Sequence, residues 1–120
     1  MRVLGFSEKW GKLRQDSFTT FRFVRKDKDW QVGELVLIVY KPRSKGGGEK
    51  LGIAEIISKD PKDMVLGRPH TYPIVTLAEA NADGFDGYWE MWDWLVETYP
   101  RQRIYNEPMN KLTLRWTNDK

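Results

Sequence analysis

The chain has 120 residues, 40% of them hydrophobic, 13% aromatic and 31% charged, which suits one domain that buries roughly two-thirds of the surface its unfolded form exposes. With no cysteine and a single histidine, it excludes a disulfide framework, thiolate metal sites and multi-histidine metal sites. The net charge is +3, yet residues 1–50 carry 12 Lys/Arg against 6 Asp/Glu while residues 51–120 carry 8 against 11, so an anionic ligand is drawn to the first half.

Arg2 to Phe6 reads as an opening strand, after which Ser7 is placed to cap a short helix with Trp10 and Leu13 on one face. FTTFRF, Phe18 to Phe23, is rich in aromatic and β-branched residues and reads as a strand with Thr19, Phe21 and Phe23 on one face and Phe18, Thr20 and Arg22 on the other. A charged turn, Arg25 to Asp29, and the pair Gly33-Glu34 lead into ELVLIVYK. Because that run is apolar almost throughout, it predicts a strand covered on both faces, as in a closed barrel. The loop KPRSKGGGEK, with three glycines and four Lys/Arg, is expected to be flexible over about residues 42–50, and LGIAEIIS, Leu51 to Ser58, to be the return strand of a long hairpin.

A turn is expected at Asp60-Pro61, then a short strand from Met64 to Leu66, and GRPHTYP is expected to be irregular because its prolines restrict the backbone. Thr76 and Glu79 have capping-box spacing, with Gly84 placed to stop that helix. Asp86 is placed to cap a second helix that runs to about Thr98 and ends before Pro100, with Tyr88, Trp92, Leu95 and Tyr99 along one stripe and Glu90, Asp93 and Glu97 on another. NKLTLRWT closes the chain as an alternating strand with Leu112, Leu114 and Trp116 inward, and residues 118–120 form a short disordered tail. No apolar run approaches the roughly 20 residues that span a bilayer, and the start lacks the apolar stretch of a signal peptide, so a cytoplasmic protein without a membrane partner is expected.

This order of elements resembles the ASCH family, within the PUA-like β-barrel superfamily, across nearly the whole chain. FTTFRF resembles the family's Lys-x-x-Thr-x-Arg element, Gly33-Glu34 before ELVLIVYK its Gly-Asp turn, LGIAEI the strand after its hairpin, and VTLAEANADGF, followed by the aromatic helix ending in Tyr99-Pro100, its most characteristic stretch. The resemblance implies an α+β fold in one domain spanning residues 1–120. Its core is a PUA-like mixed β-barrel of about five or six strands, with two or three short helices packed at its side. The cleft between barrel and helices would take RNA, a nucleotide or a modified base.

Independently of any family, Thr20 and Arg22 share one strand face, offering a hydroxyl and a planar guanidinium fork suited to a phosphate or a base edge. The plainer alternative is that Arg22 pairs with a carboxylate such as Asp83 and that Thr20 only fills a sheet position. Some members of the resembled family are small amidohydrolases acting on acylated cytidine through a Lys, a Thr and an acidic residue. By position the Thr falls on Thr20, the acid on Asp83 and the Lys on Ser17. A serine is neither the base nor the cation that a lysine is. Lys12 and Lys26 are the candidates to approach from elsewhere.

The leading expectation is a binding module for RNA or a nucleotide, monomeric or weakly dimeric and without cofactor or metal. Its cleft is lined by Arg22, Thr20 and Asp83, and Arg25, Lys41, Arg43 and Lys45 hold phosphates. The rival is a hydrolase of a modified nucleoside or of RNA, with Asp83 as acid/base, and a third reading is a protein-interaction module. Of the six tryptophans, Trp92 and Trp116 read as core, while Trp10, Trp30 and Trp89 are open to a place in the cleft, Trp30 being the preferred base-stacking candidate. His70 reads as a loop histidine without a catalytic role. Gly46 to Gly48 lacks the Lys-Ser/Thr and the strand-to-helix context of a P-loop and reads as a hairpin tip.

Overall fold

The computed structural model describes residues 1–8, 10–42, 46–64 and 72–117. In chain order these form β1 (Arg2–Phe6), a 3-10 helix (Gly11–Arg14), β2 (Ser17–Phe23), β3 (Leu35–Tyr40), β4 (Glu49–Lys62), α1 (Leu77–Ala82), α2 (Tyr88–Thr98), α3 (Arg101–Asn106) and β5 (Met109–Trp116). The strands build one curled sheet in the order β1-β3-β4-β5-β2, parallel between β1 and β3 and antiparallel elsewhere. This is an α+β half-barrel. β1 and β2, far apart in hydrogen-bonded order, are its two edges.

The two-residue period of β2 sorts its side chains between two cores. Phe18 joins Leu4, Phe6, Val36, Ile38, Ile56, Leu112 and Leu114 on one side, and Phe21 and Phe23 join Met91, Leu95, Ile104 and Met109 beneath the helices on the other. β5 alternates as its sequence predicts, with Leu112 and Leu114 buried, Trp116 packed against the first core and Arg115 exposed.

Both signals around α1 are realised. The Thr76 hydroxyl accepts from the Glu79 N–H at 3.1 Å, and the Glu79 carboxylate accepts from the Thr76 N–H at 2.9 Å. At the other end the Phe85 N–H reaches the Ala80 carbonyl and the Gly84 N–H the Asn81 carbonyl, a Schellman turn that Gly84 permits with a φ of 110°. Asp83 is thereby fixed as the C-cap of the helix and Phe85 is turned back against Trp10 and Trp94.

Several expectations need correction. Asp60-Pro61 is not a turn, because β4 continues to Lys62 and pairs with β5 as far as Lys62↔Met109. β3 pairs with β4 only as far as Leu35↔Glu55, so among the described residues Pro61 has a strand partner on one flank only, a position that tolerates its missing N–H. β3 is not covered on both faces: Val36, Ile38 and Val39 are buried but Leu35 is 46% exposed, as an open sheet allows. Ser7 caps no helix, since the 3-10 helix begins after Trp10, and α2 starts after Gly87 without a cap from Asp86. α3 follows Pro100 and is too short, at six residues, to show a helical period. Met64 is not in a strand, and Leu66 lies outside the described residues, as do most of GRPHTYP and residues 118–120. Of the glycine loop, 43–45 also lie outside, while Gly46 to Gly48 hold positive φ values of 83 to 90°.

Candidate functional site

The gap between the edges β1 and β2 is where the polar residues gather. Arg22 reaches across it: its Nη2 donates to the Gly5 carbonyl of β1 at 2.8 Å, its Nε to the Thr20 hydroxyl oxygen at 3.1 Å, and its guanidinium lies 4.8 Å from the centre of the Phe6 ring. Because Arg22 occupies a lone pair of Thr20, the Thr20 hydroxyl proton is left to point elsewhere. Nη1 makes no hydrogen bond among the described residues.

Beside them lies an ion pair that the sequence did not disclose. Lys12, carried by the 3-10 helix, donates from Nζ to Asp83 Oδ1 at 2.5 Å, and the two side chains are only 5% and 10% exposed. The Lys12 ammonium also sits 5.5 Å from the Phe6 ring centre and 5.9 Å from that of Trp10. Asp83 is held by the Schellman turn, and a side chain at Gly84 would meet the Trp10 ring at 3.1 Å, so the turn and the aromatic wall are fitted to each other.

Burial acts on the two partners in opposite senses. It pushes the Lys12 ammonium pKa down, with Asp83 opposing the shift and Arg22 adding to it, and it pushes the Asp83 carboxyl up, with Lys12 and Arg22 opposing. Each partner is drawn toward its neutral form. A lysine inclined to release its proton, paired with an acid inclined to keep one, is an acid/base couple. Arg22 is also lowered by burial, against the pull of Tyr99 and Asp83.

These groups line one cavity of about 200 Å³, with Phe6, Trp10, Phe85, Trp94 and Tyr99 as aromatic walls and Lys12, Thr20, Arg22 and Asp83 as polar ones. On the other side of Arg22, Gly5, Phe6 and Ser7 opens a shallower groove of about 590 Å³, where Arg25 and Lys41 also lie. Among the described residues no group of three or more His, Cys, Asp or Glu side chains is placed to hold a metal ion.

Of the site residues expected from the sequence, Thr20, Arg22 and Asp83 meet in the cavity. The plainer alternative for Arg22 does not hold in its stated form, since the hydrogen-bonded partner of Asp83 is Lys12 and Arg22 bonds to Thr20 and Gly5. Ser17 is exposed on β2 opposite Arg115 and does not line the cavity. Trp30 is corrected as a stacking platform: it is 3% exposed in the first core, with the Arg2 and Arg25 guanidinium groups 4.3 and 5.5 Å from its ring centre, so it presents too little surface for an unpaired base to stack on. Arg43, Lys45 and His70 lie outside the described residues. The sequence reading missed Trp94 and Phe85 as cavity walls. The signal for Phe85 was the helix stop at Gly84, which turns the next residue inward. Compared with protein-family models, curated proteins and solved structures, the chain matches none of them.

Proposed function

We propose that this protein is a nucleoside- or nucleotide-binding domain of the ASCH, PUA-like kind and that the cavity holding Lys12, Thr20, Arg22 and Asp83 receives the base. The observation that carries the reading is the composition of that cavity. Flat aromatic walls enclose four convergent polar groups, and its volume of about 200 Å³ lies below the ~300–1,000 Å³ typical of sites for drug-sized ligands. Such a space suits a single heterocycle with its substituent and does not suit a folded polymer segment. Arg22 Nη1, which has no hydrogen bond among the described residues, and the Thr20 hydroxyl are donors for ring carbonyl and ring nitrogen acceptors.

A second reading, hydrolysis of an acylated base amine, is favoured by one specific observation, the Lys12–Asp83 couple. The resembled amidohydrolases use a lysine, and Lys12 supplies from the 3-10 helix what Ser17 does not supply from β2. In this reading water adds to the acyl carbon, Lys12 as the neutral amine takes the water proton and passes it to the departing base nitrogen, and the C–N bond breaks to give a carboxylic acid and the free base amine. Arg22 and Thr20 face the oxyanion.

The test is incubation with cytidine acetylated on its exocyclic amine and with the four unmodified ribonucleosides, following binding through tryptophan fluorescence and product by chromatography. Saturable quenching by a nucleoside supports the binding reading, and its absence for all five ligands removes it. Accumulation of cytidine and acetate that is lost with Lys12→Met and with Asp83→Asn supports the hydrolase. Binding without product removes the hydrolase and leaves the binding domain.

A further inference from the structure

The enclosed cavity and the open groove share the wall made by Gly5, Phe6, Ser7 and Arg22, so a ligand whose base fills the first has its remainder directed into the second. The groove's described lining contains three cations, Arg22, Arg25 and Lys41, and no carboxylate. Arg25 is paired with Asp27 at 3.2 Å in a surface contact, with both side chains largely exposed and the pair screened by solvent. An anion entering the groove would meet three cations and no carboxylate in its described lining.

Lys41 is brought there by a backbone feature. It is the one non-glycine residue among those described with a positive φ, 50°, and its N–H donates to the Phe6 carbonyl at 2.7 Å, which pins the end of β3 to the end of β1. A left-handed conformation is strained for a lysine, and it turns the chain so that Lys41 and Pro42 form the rim of the groove. Gly5 completes the fit, since a side chain there would strike Pro42 at 2.5 Å.

Building on the nucleoside reading above, we infer that the ligand is a nucleotide, with its base in the Lys12–Asp83 cavity and its phosphate in the groove between Arg25 and Lys41, Arg22 standing at the junction of the two. The phosphate belongs either to a free mononucleotide or to one residue of an RNA strand; the chemistry that holds it is the same.

Titration of cytidine acetylated on its exocyclic amine, of its 5′-monophosphate, and of a short RNA carrying that nucleoside tests the assignment. The monophosphate is expected to bind about tenfold or more tighter than the nucleoside at low salt, an advantage that shrinks as salt rises. In Arg25→Ala/Lys41→Ala the advantage is expected to fall below about threefold, with nucleoside affinity held within about twofold. Lys41→Glu alone, at an exposed position, is expected to move the same ratio in the same direction and guards against an effect of Arg25 on the packing of Trp30. If the nucleoside binds and the monophosphate binds no better, or if the advantage survives in both variants, the groove is not a phosphate site and the base-binding reading stands alone. If neither nucleoside nor monophosphate binds, the base-binding reading itself fails and this inference falls with it. RNA binding tighter than the monophosphate identifies a strand as the source of the phosphate, and equal or weaker binding a free nucleotide.

Discussion

Arg22 of β2 and the Gly5 carbonyl of β1 are joined by a hydrogen bond of 2.8 Å, although the two strands stand at opposite ends of the sheet order. The sheet is thus drawn round by a side chain at the place where a closed barrel would have a ladder. Phe6 supports the arrangement from below, with the guanidinium 4.8 Å from its ring centre.

Arg22→Met removes this tie together with the donor to Thr20. A charge-assisted hydrogen bond contributes about 1.5–3 kcal/mol, so the midpoint of guanidinium unfolding is expected to fall by that amount of stability with the slope unchanged. A loss within about 0.5 kcal/mol would mean that the edges are held together by the surrounding cores alone.

Lys12→Met leaves Asp83 buried without its cation. The expected cost at neutral pH is about 3–5 kcal/mol, whereas Lys12→Met/Asp83→Leu, which removes both charges, is expected to cost less than the single change. The pH dependence has a definite sign. Burial already raises the folded-state pKa of Asp83 above its unfolded value, so the folded state holds a proton that the unfolded state has lost, and stability falls as pH rises through that interval. Without Lys12 the interval widens upward. Unfolding of Lys12→Met followed from mildly acidic to neutral pH is expected to show a steeper decline than the parent, and a flat profile would contradict the assignment.

Glu79 behaves in the opposite way. Burial alone would push its carboxyl up, but hydrogen bonds from Lys111, the Thr76 N–H and Lys62 hold it at about 2. Its stabilisation is present above the ordinary value of 4.5 and is lost as pH falls through the folded value of about 2. With screening by solvent the contribution is on the order of 1–2 kcal/mol. Glu79→Gln is expected to lower stability by that amount at neutral pH and to converge with the parent at the acid end of the range.

Trp30 separates packing from recognition. Trp30→Ala removes a buried aromatic side chain and is expected to cost about 3–5 kcal/mol, while Trp30→Phe keeps most of the volume and is expected to leave nucleoside affinity unchanged. A large loss of affinity in Trp30→Phe, with the fold intact by circular dichroism, would restore a role in the site.

The fold was legible where a local signal and the tertiary environment agree. The alternation of FTTFRF and NKLTLRWT, the Thr76/Glu79 box and the Gly84 stop are each properties of a few adjacent residues, and each is found as read. Asp60-Pro61 misled because a proline is compatible with a strand that has a strand partner on one flank only, a fact about β3 ending early that no local pattern carries. Trp30 misled for a related reason: its charged neighbours suggest exposure, yet two of the nearby arginines lie over the ring and cover it. In the site, Thr20, Arg22 and Asp83 were readable because a strand face and a helix end place them. Lys12 was visible only as a candidate, because its pairing with Asp83 crosses 71 positions of sequence and depends on a 3-10 helix that has no strong periodic signature.

The long β4 has a further consequence for how the protein behaves when crowded. Beyond Glu55 its outer flank has no strand partner from β3, which in a flatter and more apolar strand would offer a template on which other chains could polymerise. The residues at that flank are Lys59, Asp60, Pro61 and Lys62. Lys59 and Lys62 are engaged by Asp29 and Glu79, so the feature that opposes an incoming strand is Pro61, which donates no hydrogen bond: the same proline that reads as a turn in the sequence is a poor template for polymerisation.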